Sequence, residues 1–357
     1  MGTHNRFNTP RVYTDLISFN LATGYNSLSD ITMLQDDGST AVVFDSGSKS
    51  NIFDMKPANY AKIDSTNQSF YIQFDTSLFT NSLGESNFLA ILGHNFLDAE
   101  CMFKIQVSDS ATMSSGVTLV SNSANHTKKV NATQSTISGN TDFIEVDNNG
   151  WTLITFPTIT GANQYLRITF KDTGGASAVF ASDVAIGSIM YGEYFDFPKT
   201  PDLDIKTSVE YPNIKVQKSL GGNSYSNASS LCQPSWYASI PFGLDSDTSG
   251  VGSETYYYLK KNGRVNHELS FSYLSDTDLF SENWHSTLAS EWFDTLTIHN
   301  SFYQKIIGQH LPFLFSIDKE SSSEGDYGIF RLIDKGFTAT QVASQVYNLK
   351  LKIEESW

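Results

Sequence analysis

Five runs of β-branched and aromatic residues, at 70–75, 88–95, 102–109, 164–170 and 184–194, recur along the first two-thirds of the chain. Each is closed off by Gly, Asn, Asp or Ser. Runs this short, with turn formers at both ends, predict strands of an antiparallel sandwich. The fourth run is the clearest: Leu166, Ile168 and Phe170 alternate with Tyr165, Arg167 and Thr169, which predicts one buried face and one wet face. Residues 10–20 read as an extended lead-in, residues 42–45 and 52–53 as short strands or bridges, and residues 151–156 as a further strand. Between 108 and 142 Ser, Thr, Asn and Ala dominate, with Val117, Leu119, Val120, Val130 and Ile137 as the anchors of a long loop or weak hairpin.

Pro198 and Pro201 interrupt the pattern and mark the expected domain boundary. Beyond it, residues 268–274 alternate strongly. Leu288, Trp292 and Leu296 stand at helical spacing with Trp284 one turn earlier, so a helix packed on a second sheet is expected. Runs at 311–317, 328–333 and 346–355 are expected to complete a mixed sheet. In the last of them Leu349, Leu351 and Ile353 oppose Asn348, Lys350 and Lys352. The expected layout is a lead-in over 1–20, a β-sandwich over 21–197 and a mixed β domain with one helix over 198–357.

At 357 residues the chain is long enough for two cores. Aromatics at 13% and charged residues at 17% favour a β-rich protein with a neutral polar surface. The net charge of −15, with no basic run longer than Lys128-Lys129 or Lys260-Lys261, argues against nucleic acid as a partner. Cys101 and Cys232 lie too far apart in sequence for a disulfide framework and read as buried thiols. No apolar stretch reaches bilayer length and no hydrophobic signal region opens the sequence, so no membrane insertion and assembly in a cytoplasm are expected. The Asn-x-Ser/Thr sequons at Asn67, Asn125, Asn131 and Asn227 then carry no weight.

In the order of its strands, the stretch 20–195 resembles the discoidin or galactose-binding-like jelly-roll module. A strand ending in the carboxylate of Asp75 is followed by one ending in Leu92-Gly93-His94-Asn95. Close variants of that second motif also recur in bacteriophage tail proteins. Residues 200–357 resemble the ring-forming domain of phage tail proteins of the distal-tail type. The likeness lies in a strand after Gly263-Arg264, the motif 269–274, a helix, a Leu-Pro-Phe-Leu-Phe strand from Leu311 and a closing Ile353-Glu354-Glu355. The resemblance implies a structural component of a phage virion, a tail-tip or baseplate ring or adaptor whose partners are further copies and other tail proteins. Two alternatives stay open. One is a glycan-binding adhesin for host attachment, with a sugar held over Tyr25 or Trp151; the other is a capsid decoration protein.

Catalytic signatures are missing: there is no Gly-rich phosphate loop, Gly-x-Ser-x-Gly elbow, His-Glu-x-x-His or Cys-x-x-Cys. The seven histidines lack metal-ligand spacing, and of the acidic pairs Asp36-Asp37, Asp202 with Asp204, Asp245 with Asp247, Asp276 with Asp278 and Glu354-Glu355 most lie in predicted loops and read as solvated. The expectation is a protein that is not an enzyme and holds neither cofactor nor metal. His94 and Asn95 are the polar pair to weigh. At the end of a buried strand they can bond ligand hydroxyls or satisfy the turn's own backbone, and the second role is favoured.

Overall fold

The computed structural model describes residues 7–75, 86–122, 127–158, 165–174, 179–211, 214–227, 263–281 and 296–356. Along the first half run β1 (Arg11–Asp15), helix α1 (Leu16–Ala22), β2 (Ile31–Gln35), β3 (Phe44–Ser46), β4 (Ala61–Ile63), β5 (Ser69–Asp75), β6 (Phe88–His94), β7 (Cys101–Ser108) and β8 (Thr118–Leu119). They are followed by β9 (Lys128–Val130), β10 (Thr133–Gln134), β11 (Ile144–Glu145), β12 (Gly150–Thr155), β13 (Tyr165–Asp172), β14 (Val184–Ile186) and β15 (Ser188–Asp196). The second half adds β16 (Lys206–Glu210), β17 (Lys215–Lys218), β18 (Ser224–Asn227), β19 (Arg264–Ser275), β20 (Phe313–Ser316), β21 (Tyr327–Leu332), β22 (Ala339–Ala343) and β23 (Val346–Glu355).

The chain is mainly β, and all the pairings among these strands are antiparallel. The C-terminal sheet, expected to be mixed, is therefore antiparallel. One sheet runs β16-β19-β23-β21-β20-β1-β15-β6-β12-β9, with β22 against β23. A second runs β10-β11-β7-β13-β5-β2, with β8 against β7. In the sandwich, Leu89, Ile91, Ile154 and Ile189 from the first sheet share a core with Phe70, Ile72, Phe103, Ile105, Leu166, Ile168 and Phe170 from the second. The alternation of 165–170 is realised: those last three side chains are fully buried, and Phe170 stacks on Phe70 with ring centroids 4.8 Å apart. Of the anchors between 108 and 142, Val120 and Val130 are buried while Val117 is exposed.

The lead-in is not peripheral. β1 lies inside the large sheet, pairing with β15 on one side and β20 on the other, so that Val12 is opposite both Phe195 and Phe315. Alternation sends Val12 into a core with Phe195, Phe271, Phe313, Leu349 and Ile353. It sends Tyr13 to the other face, where Phe88, Leu92, Trp151 and Leu153 from the first half meet Leu314, Tyr327 and Ile329 from the second. The chain passes the two prolines after β15, yet the sheet and this third cluster continue across the expected boundary.

Charges reinforce the seam. Arg11 donates from Nε and Nη2 to the two carboxylate oxygens of Asp196, at 2.5 and 3.0 Å, and its guanidinium lies 3.8 Å from the Tyr194 ring centroid. Lys305, just past the π-helical turn Ile298–Gln304, forms a buried ion pair with Glu193 of β15. The helix expected around Trp284, Leu288 and Trp292 lies outside the described residues, and Leu296 at its end is exposed. Truncating one partner of a buried pair strands the other charge. Glu193→Gln is therefore expected to lower unfolding free energy by about 3 kcal/mol or more in urea titrations; an unchanged midpoint would show that Lys305 reaches water.

Candidate functional site

His94 ends β6 and is fully buried, as Leu-Gly-His-Asn leaves the sandwich. Its Nε2 lies 2.8 Å from the Thr152 hydroxyl, and its ring stacks on Phe96 at 4.3 Å between centroids. Burial pushes its pKa down to about 3, only partly opposed by a hydrogen bond with the Trp151 backbone. Asn95 ties the same turn to β14: its Nδ2 donates to the Asp183 carbonyl and its Oδ1 accepts from the Ala185 amide, both at 2.8 Å. Both side chains are spent on the fold. Gly93 is required by a close approach: at φ +67°, a Cβ there would sit 2.2 Å from the Pro57 carbonyl oxygen, and one on Gly187 only 2.0 Å from it.

The two aromatic candidates part company. Trp151 is buried, its ring 5.6 Å from Tyr327 in the cluster shared by the two halves, so it offers no face to a sugar and that expectation is corrected. A strand-end tryptophan is exposed only if its side of the sheet is bare, and here the second half covers it. Tyr25 is exposed beyond α1, its amide donating to the Asn20 carbonyl, and is not among the walls of the cleft described next.

The residues after His94-Asn95 do form a cleft, of about 340 Å³, between the β6–β7 turn and the β10–β11 hairpin. Phe96, Cys101, Ile137 and Val146 give it apolar walls, Leu97 stands half exposed at it, and Glu100 and Glu145 bring carboxylates. The turn is held by Asn149, whose Oδ1 accepts from the Leu97 and Asp98 amides at 3.0 and 3.3 Å, and Glu100 sits at φ +51°. One oxygen of Glu145, Oε1, is shielded from solvent without a hydrogen-bond partner. Burial, then the charge of Asp172, push the Cys101 thiol well up, so it is a wall rather than a nucleophile. A cleft with apolar walls and two acceptors can take a polyhydroxylated ligand by its C–H face and its hydroxyls.

The acidic pairs weighed from sequence serve turns and strand ends. Asp37 accepts from the Ser39 and Thr40 amides at 2.9 and 2.8 Å, Asp202 from the Ser272 hydroxyl at 2.6 Å, and Asp278 from the Ser275 amide at 2.8 Å. Glu355 is buried and accepts from the Val265 amide, whereas Asp245 and Asp247 lie outside the described residues. Among the described residues no group of three His, Cys, Asp or Glu could hold a metal ion, and no helix is long and apolar enough to cross a membrane.

No protein-family model matches the chain, and no curated protein matches it. Among solved structures it is similar to a carbohydrate-binding module of Clostridium perfringens, described as CpGH89CBM32-4. The two are 14% identical, the match covers 47% of this chain and all of the module, and the TM-score is 0.27. A superposition that loose assigns no ligand here.

Acid should unfold the protein through its buried imidazoles. The folded pKa of His94 is about 3 and that of His267 about 4, both lowered by burial, so below pH 6.5 the unfolded chain takes up protons that the folded one refuses, and stability falls. Asp15 acts oppositely: burial raises it to about 6 despite bonds from the Ile17, Ser18 and Tyr191 amides, so its contribution grows as pH falls from 6 toward 3.8. Two groups outweigh one. Between pH 7 and pH 5, His94→Gln should lose about 2 kcal/mol less stability than the parent protein. Equal losses would mean that His94 is protonated in the fold.

Proposed function

We propose that the chain is a non-enzymatic structural protein of a bacteriophage virion, a tail-tip or baseplate adaptor that assembles through its second half and carries the sandwich as a rigid module. The observation that supports this most is the exposed strand surface on that half. Among the described residues, β16 is a terminal strand of the large sheet, and β17 and β18 pair with each other alone. Ile214, Val216 and Tyr225 are exposed on or beside this hairpin, as are Val209 and Tyr211 at β16. A two-stranded hairpin is marginal alone in water, and open edges with apolar side chains are surfaces on which another chain can pair. The order of parts over 200–357, with its resemblance to ring-forming tail domains, supports the same reading, and the partners would be further copies and other tail proteins.

A second reading, a glycan-binding adhesin, is favoured by one feature: the cleft at Phe96 and Leu97 with the unpartnered oxygen of Glu145. Light scattering on the purified chain separates the two. The assembly reading expects a defined oligomer that dissociates when Val216→Asp and Tyr225→Asp are combined. A monomer at every concentration, together with glycan-array binding lost in Glu145→Gln, would move the assignment to the adhesin.

A further inference from the structure

In this strongly acidic chain, one face gathers positive charge. Arg167, Thr169 and Lys171 point to the outer side of β13, away from the sandwich core, and Lys104 of β7 is opposite Thr169, between the two cations. Directly opposed residues on neighbouring strands are about 5 Å apart and diagonal ones about 7–8 Å, so the three positive side chains converge on one patch. The ammonium groups of Lys104 and Lys171 lie 5.1 and 5.9 Å from the centroid of the same ring, that of Phe143. The guanidinium carbon of Arg167 lies 4.0 Å from the centroid of the Tyr71 ring, and the group is steadied by bonds from Nε to Gln73 Oε1 at 2.8 Å and from Nη2 to the Ala111 carbonyl at 3.0 Å. Lys171 donates to Asn140 Oδ1 at 3.2 Å.

Asp36 and Asp142 act on Lys104, and Asp36 on Arg167, without closing an ion pair. None of the ion pairs among the described residues includes Lys104, Arg167 or Lys171. Burial holds Lys104 below the ordinary lysine range; Asp36 and Asp142 offset part of that, while Lys171 and Arg167 add to it. Like charges repel, and the direct contacts these cations make are to neutral oxygens and aromatic faces. An anion set among them would relieve that repulsion and receive charge-assisted hydrogen bonds.

We infer that this outer face of the second sheet is an oxyanion site, in which Lys104 and Lys171 bind, and Arg167 orients, the carboxylate or sulfate of an anionic ligand. The site shares no residue with the lining of the loop-end cleft and does not depend on the assembly reading, which would survive its failure. Positively charged and bordered by the Phe143 and Tyr71 rings, the face suits the acidic group of a glycan as well as a free ion, and the test separates those sources.

Isothermal titration of the full chain with inorganic sulfate, a sulfated oligosaccharide, an oligogalacturonate and a neutral galactose oligomer tests the inference. Saturable binding of at least one anionic probe is expected, weakened about tenfold or more by Lys104→Gln combined with Lys171→Gln and unchanged by Lys350→Gln on an exposed strand position. Binding of sulfate alone would identify a free oxyanion as the ligand, whereas binding of a charged oligosaccharide and not of sulfate would identify a glycan. Absence of saturable binding by every anionic probe, equal binding of the neutral oligomer, or full binding by the double variant would overturn the inference.

Discussion

A five-residue strand near the start of the chain decides how the molecule holds together. β1 supplies the hydrogen bonds that join β15 of the sandwich to β20 of the second half, and its alternating side chains enter cores on both faces of the sheet. Sheet edges tolerate mismatch, but an interior strand must satisfy backbone partners on both sides at once. The Arg11–Asp196 fork and the buried Lys305–Glu193 pair cross the same seam, where low exposure strengthens them and makes either half expensive to remove. The halves are thus welded rather than tethered.

The seam also explains the loop end of the sandwich. Because the second half covers the outer face of β6 and β12, Trp151 and Leu92 become core residues. The turn is shaped by Gly93 and Gly187 closing on the Pro57 carbonyl and by His94 held neutral beside Thr152. What remains open is the cleft of Phe96, Leu97, Glu100 and Glu145. On the opposite sheet, the cationic face owes its form to strand parity: each apolar residue sent inward from β13 forces a polar one outward.

Much of this was legible in local pattern. Strands with period two, such as 164–170 and 346–355, lie where alternation put them, because a buried face leaves a mark on every second residue. The supporting role favoured for His94 at the end of its strand agrees with its burial and its bond to Thr152. Legibility failed where the partner was distant. Nothing within Arg11–Asp15 announces that Val12 will meet both Phe195 and Phe315, so the strand reads as a lead-in. Trp151 failed for the same reason: an aromatic at a strand end is a platform or a core residue according to what covers it. Glu145 sits between Ile144 and Val146 as an ordinary outward residue of an alternating strand, and only the fold of the hairpin closes it into a cleft.

The central claim is that β1 is structural to both halves, and hydrogen exchange read by mass spectrometry on Val12→Pro tests it directly. Proline removes an amide from the ladder and cannot be accommodated in an interior strand. The account predicts that protection falls together in β15 and β6 on one side and in β20 and β21 on the other. Protection lost on one side alone, with the other exchanging as in the parent protein, would contradict it.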